Sequence, residues 1–415
     1  MPPSRIELPA GQNWSCHACT DCCRNHLVAP LSAQEKERLE QQHWTAADGV
    51  DPAKMIVSGQ HGHRLGHQED GACVFLDASK RCRIHLKFGE AAKPLACRLY
   101  PLLIYPAGKK ILVGLRFSCP SAAANQGRPL TENTAEAGRL AREVLPAGSE
   151  LLPPPPVAAT PGLDWPDFLR FVRWLQVTFA AQNAPVALKL MRALRWLESV
   201  ERGYLDQITG ESADEILEAL VRSSGDKLPA LPAQPEAPSR FGHLFLRMLV
   251  LEHAQTPTVA DREAFGGHRW KMLLAAFRFL SAAGSTPTVR QELKRARFAE
   301  IEQTSGPLPR EAEALLDRYF RVKLDSLQFC GKGFHDCSLI EGFRNLALLY
   351  PIILWLSRWL SVSSGRTRLT EADVRQAVSL ADYHYGFAPY VRWRTRLLQQ
   401  RDDIARLCAW YGQGG

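Results

Sequence analysis

The chain has 415 residues, 46% hydrophobic and 23% charged, with a formal net charge of +8 and a pI near 9.0. That length and apolar content suit two or three globular domains with real cores, and so small a charge surplus singles out no acidic partner. The longest apolar run, residues 345–357 between Arg344 and Arg358, falls short of the roughly 20 residues a bilayer needs; it reads as a buried helix, and no membrane partner is expected.

Residues 1–14 lack the basic start and apolar run of a secretory signal, so a cytoplasmic location is expected. In a reducing compartment a cysteine cluster binds metal or does redox chemistry rather than forming structural disulfides. Eight of the eleven cysteines fall between Cys16 and Cys119. The first four read Cys16-His-Ala-Cys19-Thr-Asp-Cys22-Cys23. As a helix at roughly 100° per residue, this stretch holds Cys16, Cys19 and Cys23 within about 60° of one another. As a non-helical turn, Cys16 and Cys19 still form the C-x2-C pair found in zinc and iron-sulfur sites. The adjacent pair Cys22-Cys23 suggests either a multinuclear centre or one ligand beside an outer thiol.

Ser32-Ala-Gln-Glu35 is a capping box that starts a short polar helix through about residue 42. The loop His61-Gly-His63-Arg-Leu-Gly-His67 carries three imidazoles that no regular spacing brings together, so it reads as an exposed loop. Residues 73–85 alternate apolar and polar residues around a turn at 77–80, a tight hairpin with Cys73 and Cys82 on its arms. His85, three residues after Cys82, is a weaker candidate ligand. Residues 99–104 and 110–117 read as two strands joined at Pro106-Ala-Gly-Lys109, delivering Cys97 and Cys119 to opposite ends of a second hairpin. Arg98 and Arg116 lie near these thiols in sequence, where a cation would lower the cluster's charge penalty, although either could equally be a surface residue.

The order Cys22-Cys23, Cys73-x-Phe-Leu-Asp77, Cys82-x-Ile-His85, Gly89, Pro94-x-x-Cys97-Arg-x-Tyr-Pro101 resembles the YkgJ-type cysteine-cluster proteins, a family held to chelate zinc or iron. The resemblance covers about residues 14–120. Two features stand apart from the family pattern: a first cluster tighter than the wider spacings associated with it, and Lys93-Pro94 where Arg-Pro is common. The layout of cysteine module followed by a long helical region is similar to that of the flagellin lysine-N-methylases (FliB-like). That resemblance implies a methyltransferase using S-adenosylmethionine and an iron-sulfur cluster, with a protein substrate such as flagellin.

After a helix over 134–144, Leu152-Pro-Pro-Pro-Pro156 and Pro161 read as a stiff spacer. Helices follow at a Trp165-Pro166 start, at 187–200 and after a Ser212-Ala-Asp-Glu215 cap. A proline-rich break at 223–239 precedes helices over 241–253, 268–282, 288–303, 310–329, 338–360, 371–385 and 390–411, with Thr370 capping the sixth. The expected fold is mostly α: a cysteine-rich metal-binding domain with short β-hairpins (1–125), a helix and proline-rich linker (126–160), a helical segment (161–222), a linker (223–239) and an α-helical bundle (240–415).

Between two helices, Cys330-Gly-Lys-Gly-Phe-His335-Asp336-Cys337 reads either as a structural hinge with incidental cysteines or as a functional turn facing the N-terminal centre, with His335 and Asp336 as candidate catalytic groups. Lys294-Arg-Ala-Arg297 and Arg392-Trp-Arg-Thr-Arg396 mix basic and aromatic residues, but solvated helix faces explain them and nucleic acid is not expected. No G-x-G-x-G follows a strand and no C-x3-C-x2-C triplet occurs, so a standard Rossmann or radical methyltransferase is not indicated. Two functions compete: a protein lysine N-methylase, and a non-catalytic interaction module stabilised by metal. Both require metal at Cys16, Cys19, Cys22, Cys23, Cys73, Cys82, Cys97 and Cys119, as Zn2+ or a [4Fe-4S] cluster.

Overall fold

A computed structural model of the chain describes residues 5–24, 31–59, 62–255, 268–290, 292–303, 306–386, 392–399 and 402–412. His61, the expected helix start at 390–391, and residue 291 within the expected helix 288–303 lie outside them. The protein is mostly helical, with short strands confined to the N-terminal region, as the sequence implies.

The N-terminal region runs β1 (Arg5–Glu7), α1 (Asp21–Arg24), α2 (Ala33–Gln41), β2 (Ile56–Gly59), β3 (Gly62–Leu65), α3 (Arg83–Phe88), α4 (Leu95–Leu99), β4 (Leu102–Ala107), β5 (Lys110–Leu115), α5 (Pro120–Ala123) and α6 (Thr134–Val144). Both halves of the Ser32 capping box form at α2. Strand β5 is central in its sheet, parallel to β1 and antiparallel to β4, with Ile104 opposite Val113. The hairpin starts later than expected because residues 95–99 coil into α4. Residues 73–82 make a turn rather than a strand hairpin: Asp77 N–H donates to the Arg81 carbonyl (2.9 Å), and a single bridge pairs Leu76 with Cys82.

The helical region comprises α7 (Trp165–Ala180), α8 (Val186–Arg202), α9 (Gly210–Lys227), α10 (Arg240–Ala254), α11 (His268–Ser281), α12 (Phe298–Glu302), α13 (Arg310–Asp325), α14 (Leu339–Ser363), α15 (Glu371–His384), α16 (Arg392–Gln399) and α17 (Asp403–Gly412). Three expectations change here. Helix α9 begins after Thr209, not Ser212, because the Asp167 carboxylate of α7 accepts from Gly210 N–H (2.9 Å). Residues 286–290 and 292–297 are not helical: Thr286 N–H donates to the Ala296 carbonyl (2.8 Å) and Ala296 N–H to Thr286 Oγ1 (3.0 Å), leaving only α12. The last helix is two, with Asp402 in the left-handed region before α17 (φ 58°).

Helix α14 is the centre of the bundle. It is apolar on all sides, the pattern of a helix packed all round, and it is the one described helix long and apolar enough to cross a membrane. Its most apolar window is 89% buried inside the protein. The proline-rich stretch docks on its start: the Pro156 and Val157 carbonyls accept from the N–H groups of Leu339 and Ile340 (2.9 and 3.0 Å), beside the Ser338 cap.

Apolar packing forms two cores. The main one joins the β4–β5 hairpin, Phe117, Cys119 and α6 to the helices as far as Tyr411. The smaller one gathers Leu31, Leu39, Trp44, Val50, Met55, Val74, Phe75 and Ile84.

Candidate metal centre

The first four cysteines do not lie along one helix. Ala18 and Thr20 take left-handed backbone (φ 50° and 70°), which interrupts any helix before α1, so Cys16 and Cys19 sit on an extended approach while Cys22 and Cys23 sit in one helical turn. Two ties hold α1 to the next cysteine loop: Cys73 N–H donates to the Cys23 carbonyl (2.8 Å), and Arg24 pairs with Asp70 (2.8 Å). Cys82 caps α3, Cys97 lies in α4 and Cys119 caps α5. Cys73 and Cys82 pack against the small core, whereas Leu95 and Leu99, on either side of Cys97, pack against the main one. The thiols therefore collect where the two cores meet.

The electrostatics divide them into two groups. Burial pushes the Cys73 thiol up to about 12, helped by Cys97, Cys82 and Cys22. Burial also pushes Cys97 up to about 12; Cys82 and Cys22 add to this and Lys93 opposes it. Cys22 is raised first by its contact with Cys23, whose sulfur lies 3.9 Å away, and then by burial. Cys22 and Cys97 keep solvent-exposed surface, yet the protein packed around their thiols is dense enough for desolvation to act on both. Cys22 and Cys82 thus both act on Cys73 and Cys97, which makes a quartet of these four thiols, with Cys23 beside Cys22. Cys19, raised mainly by burial, feels Cys22 and Cys16, and Cys119, raised to about 11 by burial, feels Cys19.

A half-buried cluster of thiols is a poor place for free thiolates and a good one for a soft dication, which supplies the missing positive charge. The donor set fits zinc or iron. Among the described residues no three Cys, His, Asp or Glu side chains already stand at metal-holding separations.

The neighbours differ from those expected. Arg98 points away into a two-pronged pair with Glu143 of α6 (3.0 and 2.5 Å), and Arg116 donates to the Asp382 carbonyl (3.5 Å). The cation felt by Cys22 and Cys97 is Lys93, at the position where the sequence carries Lys-Pro. The buried Tyr100 phenol feels both Cys119 and Cys22. His85 is exposed on α3, and the imidazoles of His63 and His67 contact Ser58 and Arg64 (2.9 and 3.1 Å).

Two contacts with the helical region escaped sequence reasoning. Asp21, whose carboxyl is raised by burial and by Glu292, also feels Arg290, so the first cluster faces the 290 segment. Next to Cys119, Ser118 N–H donates to Asp382 Oδ2 (3.0 Å). The other oxygen of Asp382 accepts from Tyr319 (3.1 Å) and from the buried ammonium of Lys323 (2.5 Å). Lys323 also donates to Gln328 (2.7 Å), and desolvation lowers its pKa. No local spacing signals a partnership between residues 264 positions apart.

The turn between α13 and α14 buries both of its thiols. Cys330 is raised by burial and by Cys337, and no N-terminal cysteine is among the groups acting on it. The Tyr385 ring lies close to both sulfurs and stacks on Phe334 at 4.6 Å. His335 and Asp336 are exposed in left-handed backbone, and Asp336 pairs with Lys332 (2.9 Å).

Fold and site together define a cysteine-rich module built onto a helical bundle. Residues 15–120 match the CxxCxxCC family, described as "Putative zinc- or iron-chelating domain", and this segment carries that domain. The family's name is the spacing of Cys16, Cys19, Cys22 and Cys23, so the tight first cluster is the family pattern, not a departure from it. No curated protein and no solved structure matches the chain.

Proposed function

We propose that the chain binds zinc or an iron-sulfur cluster through Cys22, Cys73, Cys82 and Cys97, with Cys16, Cys19, Cys23 and Cys119 as a second thiol group beside it. The observation that carries this is the convergence of four thiols from α1, the 73–82 turn and α4: Cys22 and Cys82 both act on Cys73 and on Cys97, and Cys73 N–H is tied to the Cys23 carbonyl (2.8 Å). Four thiolates are what a tetrahedral zinc or a cubane needs. The metal would supply positive charge that fixes α1, the 73–82 turn and α4 to one point; the chain supplies Lys93, which offsets the remaining negative charge.

Within this proposal the enzymatic reading is protein lysine N-methylation in a reducing cytoplasm, with S-adenosylmethionine as donor and a flagellin-like protein as substrate. It is supported by the resemblance in layout, a cysteine module followed by a helical bundle. Metal analysis of protein purified without oxygen or chelator tests the core claim. Cys22→Ser, Cys73→Ser and Cys97→Ser should each lose most of the metal, whereas Cys408→Ser, inside the bundle, should keep it. Equal metal content in all four variants would sink the assignment. Incubation with labelled S-adenosylmethionine and flagellin tests the finer reading; no label on lysine from metal-loaded protein would leave the chain as a non-catalytic module.

A further inference from the structure

We infer that the outward face of α11 is a docking surface for an anionic lipid membrane, on which the protein lies without crossing it. Trp270, Leu273, Leu274, Phe277 and Leu280 recur at the spacing of one helical face and are 75%, 61%, 65%, 70% and 41% exposed. The other face is already anchored: Ala275 and Phe279 are buried, and the Phe279 ring meets Phe298, Trp355 and Trp359 at 5.1 to 5.8 Å. Core packing therefore leaves the outer apolar stripe unexplained.

Positive charge borders the stripe along one side and at its C-terminal end. Lys271 and Arg278 flank it on the helix. Arg278 donates to the Ser285 carbonyl (3.3 Å), and Ser285 pairs with Arg297, which brings the 294–297 segment beside the end of α11. Lys294, Arg295 and Arg297 are exposed and make no ion pair among the described residues. Among the described residues the acids near this segment are Glu292, held by Arg290 (2.9 Å), Asp21, which feels both, and Glu300.

This charge disfavours a second copy of the chain as occupant, since the same cations would face each other across a two-fold interface. A protein partner would have to offer a groove shaped to a convex single-helix ridge. A fluid anionic surface needs no matching shape: it takes the aromatic and leucine side chains at the headgroup boundary while lysine and arginine reach the phosphates. The expectation of no membrane contact concerned spanning length, which a helix lying on the surface does not need.

Vesicle flotation of the full chain tests this, with phosphatidylcholine vesicles containing about a third phosphatidylglycerol and with phosphatidylcholine alone. Binding should require the anionic lipid and weaken as salt shortens the reach of the charges. The double variant Trp270→Glu with Phe277→Glu should lose about tenfold or more of the bound fraction, and Arg295→Glu with Arg297→Glu several-fold. Both should keep wild-type circular dichroism and metal content, because every altered side chain is exposed. No binding at low salt, or equal binding by the variants, overturns the proposal. In that event, wild-type self-association abolished by Trp270→Glu would assign the face to a subunit interface, and a monomer would leave it to a protein partner.

Discussion

Single side chains here are decided by burial more than by identity. His384 shows it most clearly: desolvation, with His253 and Arg290 nearby, holds its imidazole down at about 3, and the neutral ring donates from Nε2 to the Gln255 carbonyl (2.8 Å). His253 is lowered by burial as well and donates from Nδ1 to the Leu249 carbonyl (2.9 Å). An unfolded histidine takes up a proton near pH 6.5, which the folded ring refuses. For His384 the resulting stability is complete above about pH 6.5 and is lost as pH falls towards 3, at up to about 1.4 kcal/mol per pH unit, and the lowered His253 acts in the same direction. Urea unfolding of wild type between pH 7.5 and about 5 should show this decline. His384→Gln, which keeps the donor to Gln255, should flatten it at equal metal loading; an unchanged slope would show that the ring is protonated when folded. The same rule explains Lys93. The sequence offered Arg98 and Arg116 as partners for the thiols, but Glu143 and Asp382, both distant in sequence, claim those two.

Elements were legible where their cause is local. The boxes at Ser32 and Thr370 form as written, and α6 runs over the residues expected, because caps and apolar period lie within a few residues. Elements failed where the cause is tertiary. Val289, Leu293 and Ala296 keep a helical spacing, yet the Thr286–Ala296 pairing closes the segment into a loop. The cysteine spacing likewise announced a metal domain, but the division into quartet and second group depends on turns tens of residues apart. Helix α14 adds a dependence of its own. Pro351 has no N–H for the Ala347 carbonyl four residues earlier, and the buried Cys408 thiol of α17 donates to that oxygen instead (3.6 Å). Cys408→Ala should cost about 1–3 kcal/mol, by orphaning the carbonyl and opening a small cavity, and Cys408→Ser, which keeps a donor, should cost less. Thermal midpoints check this. Equal losses in the two variants would show that the thiol contributes packing alone.

At the scale of the whole molecule, the consequential fact is that the candidate centre lies between a small core and a large one. The small core is built on Leu39, Trp44, Phe75 and their neighbours, with little else to secure it. A cluster of this size gains much from a metal that ties α1, the 73–82 turn and α4 together. The hairpin β4–β5 differs, since Leu102, Val113 and Leu115 already belong to the main core. Ser118, moreover, is fixed by Asp382 within a buried ion pair whose disruption would strand a charge. Chelation should therefore loosen the protein unevenly. Amide exchange should accelerate strongly in residues 31–59 and 71–99, modestly around Cys119, and hardly at all in α14, because ligand-linked stability is lost only where the ligand's contacts are. Exchange mass spectrometry on metal-loaded and chelator-treated protein resolves these segments. If α14 loses protection as much as residues 71–99, the two cores unfold as one unit and the metal supports the whole fold. If neither changes, the thiols bind metal without holding the turns together.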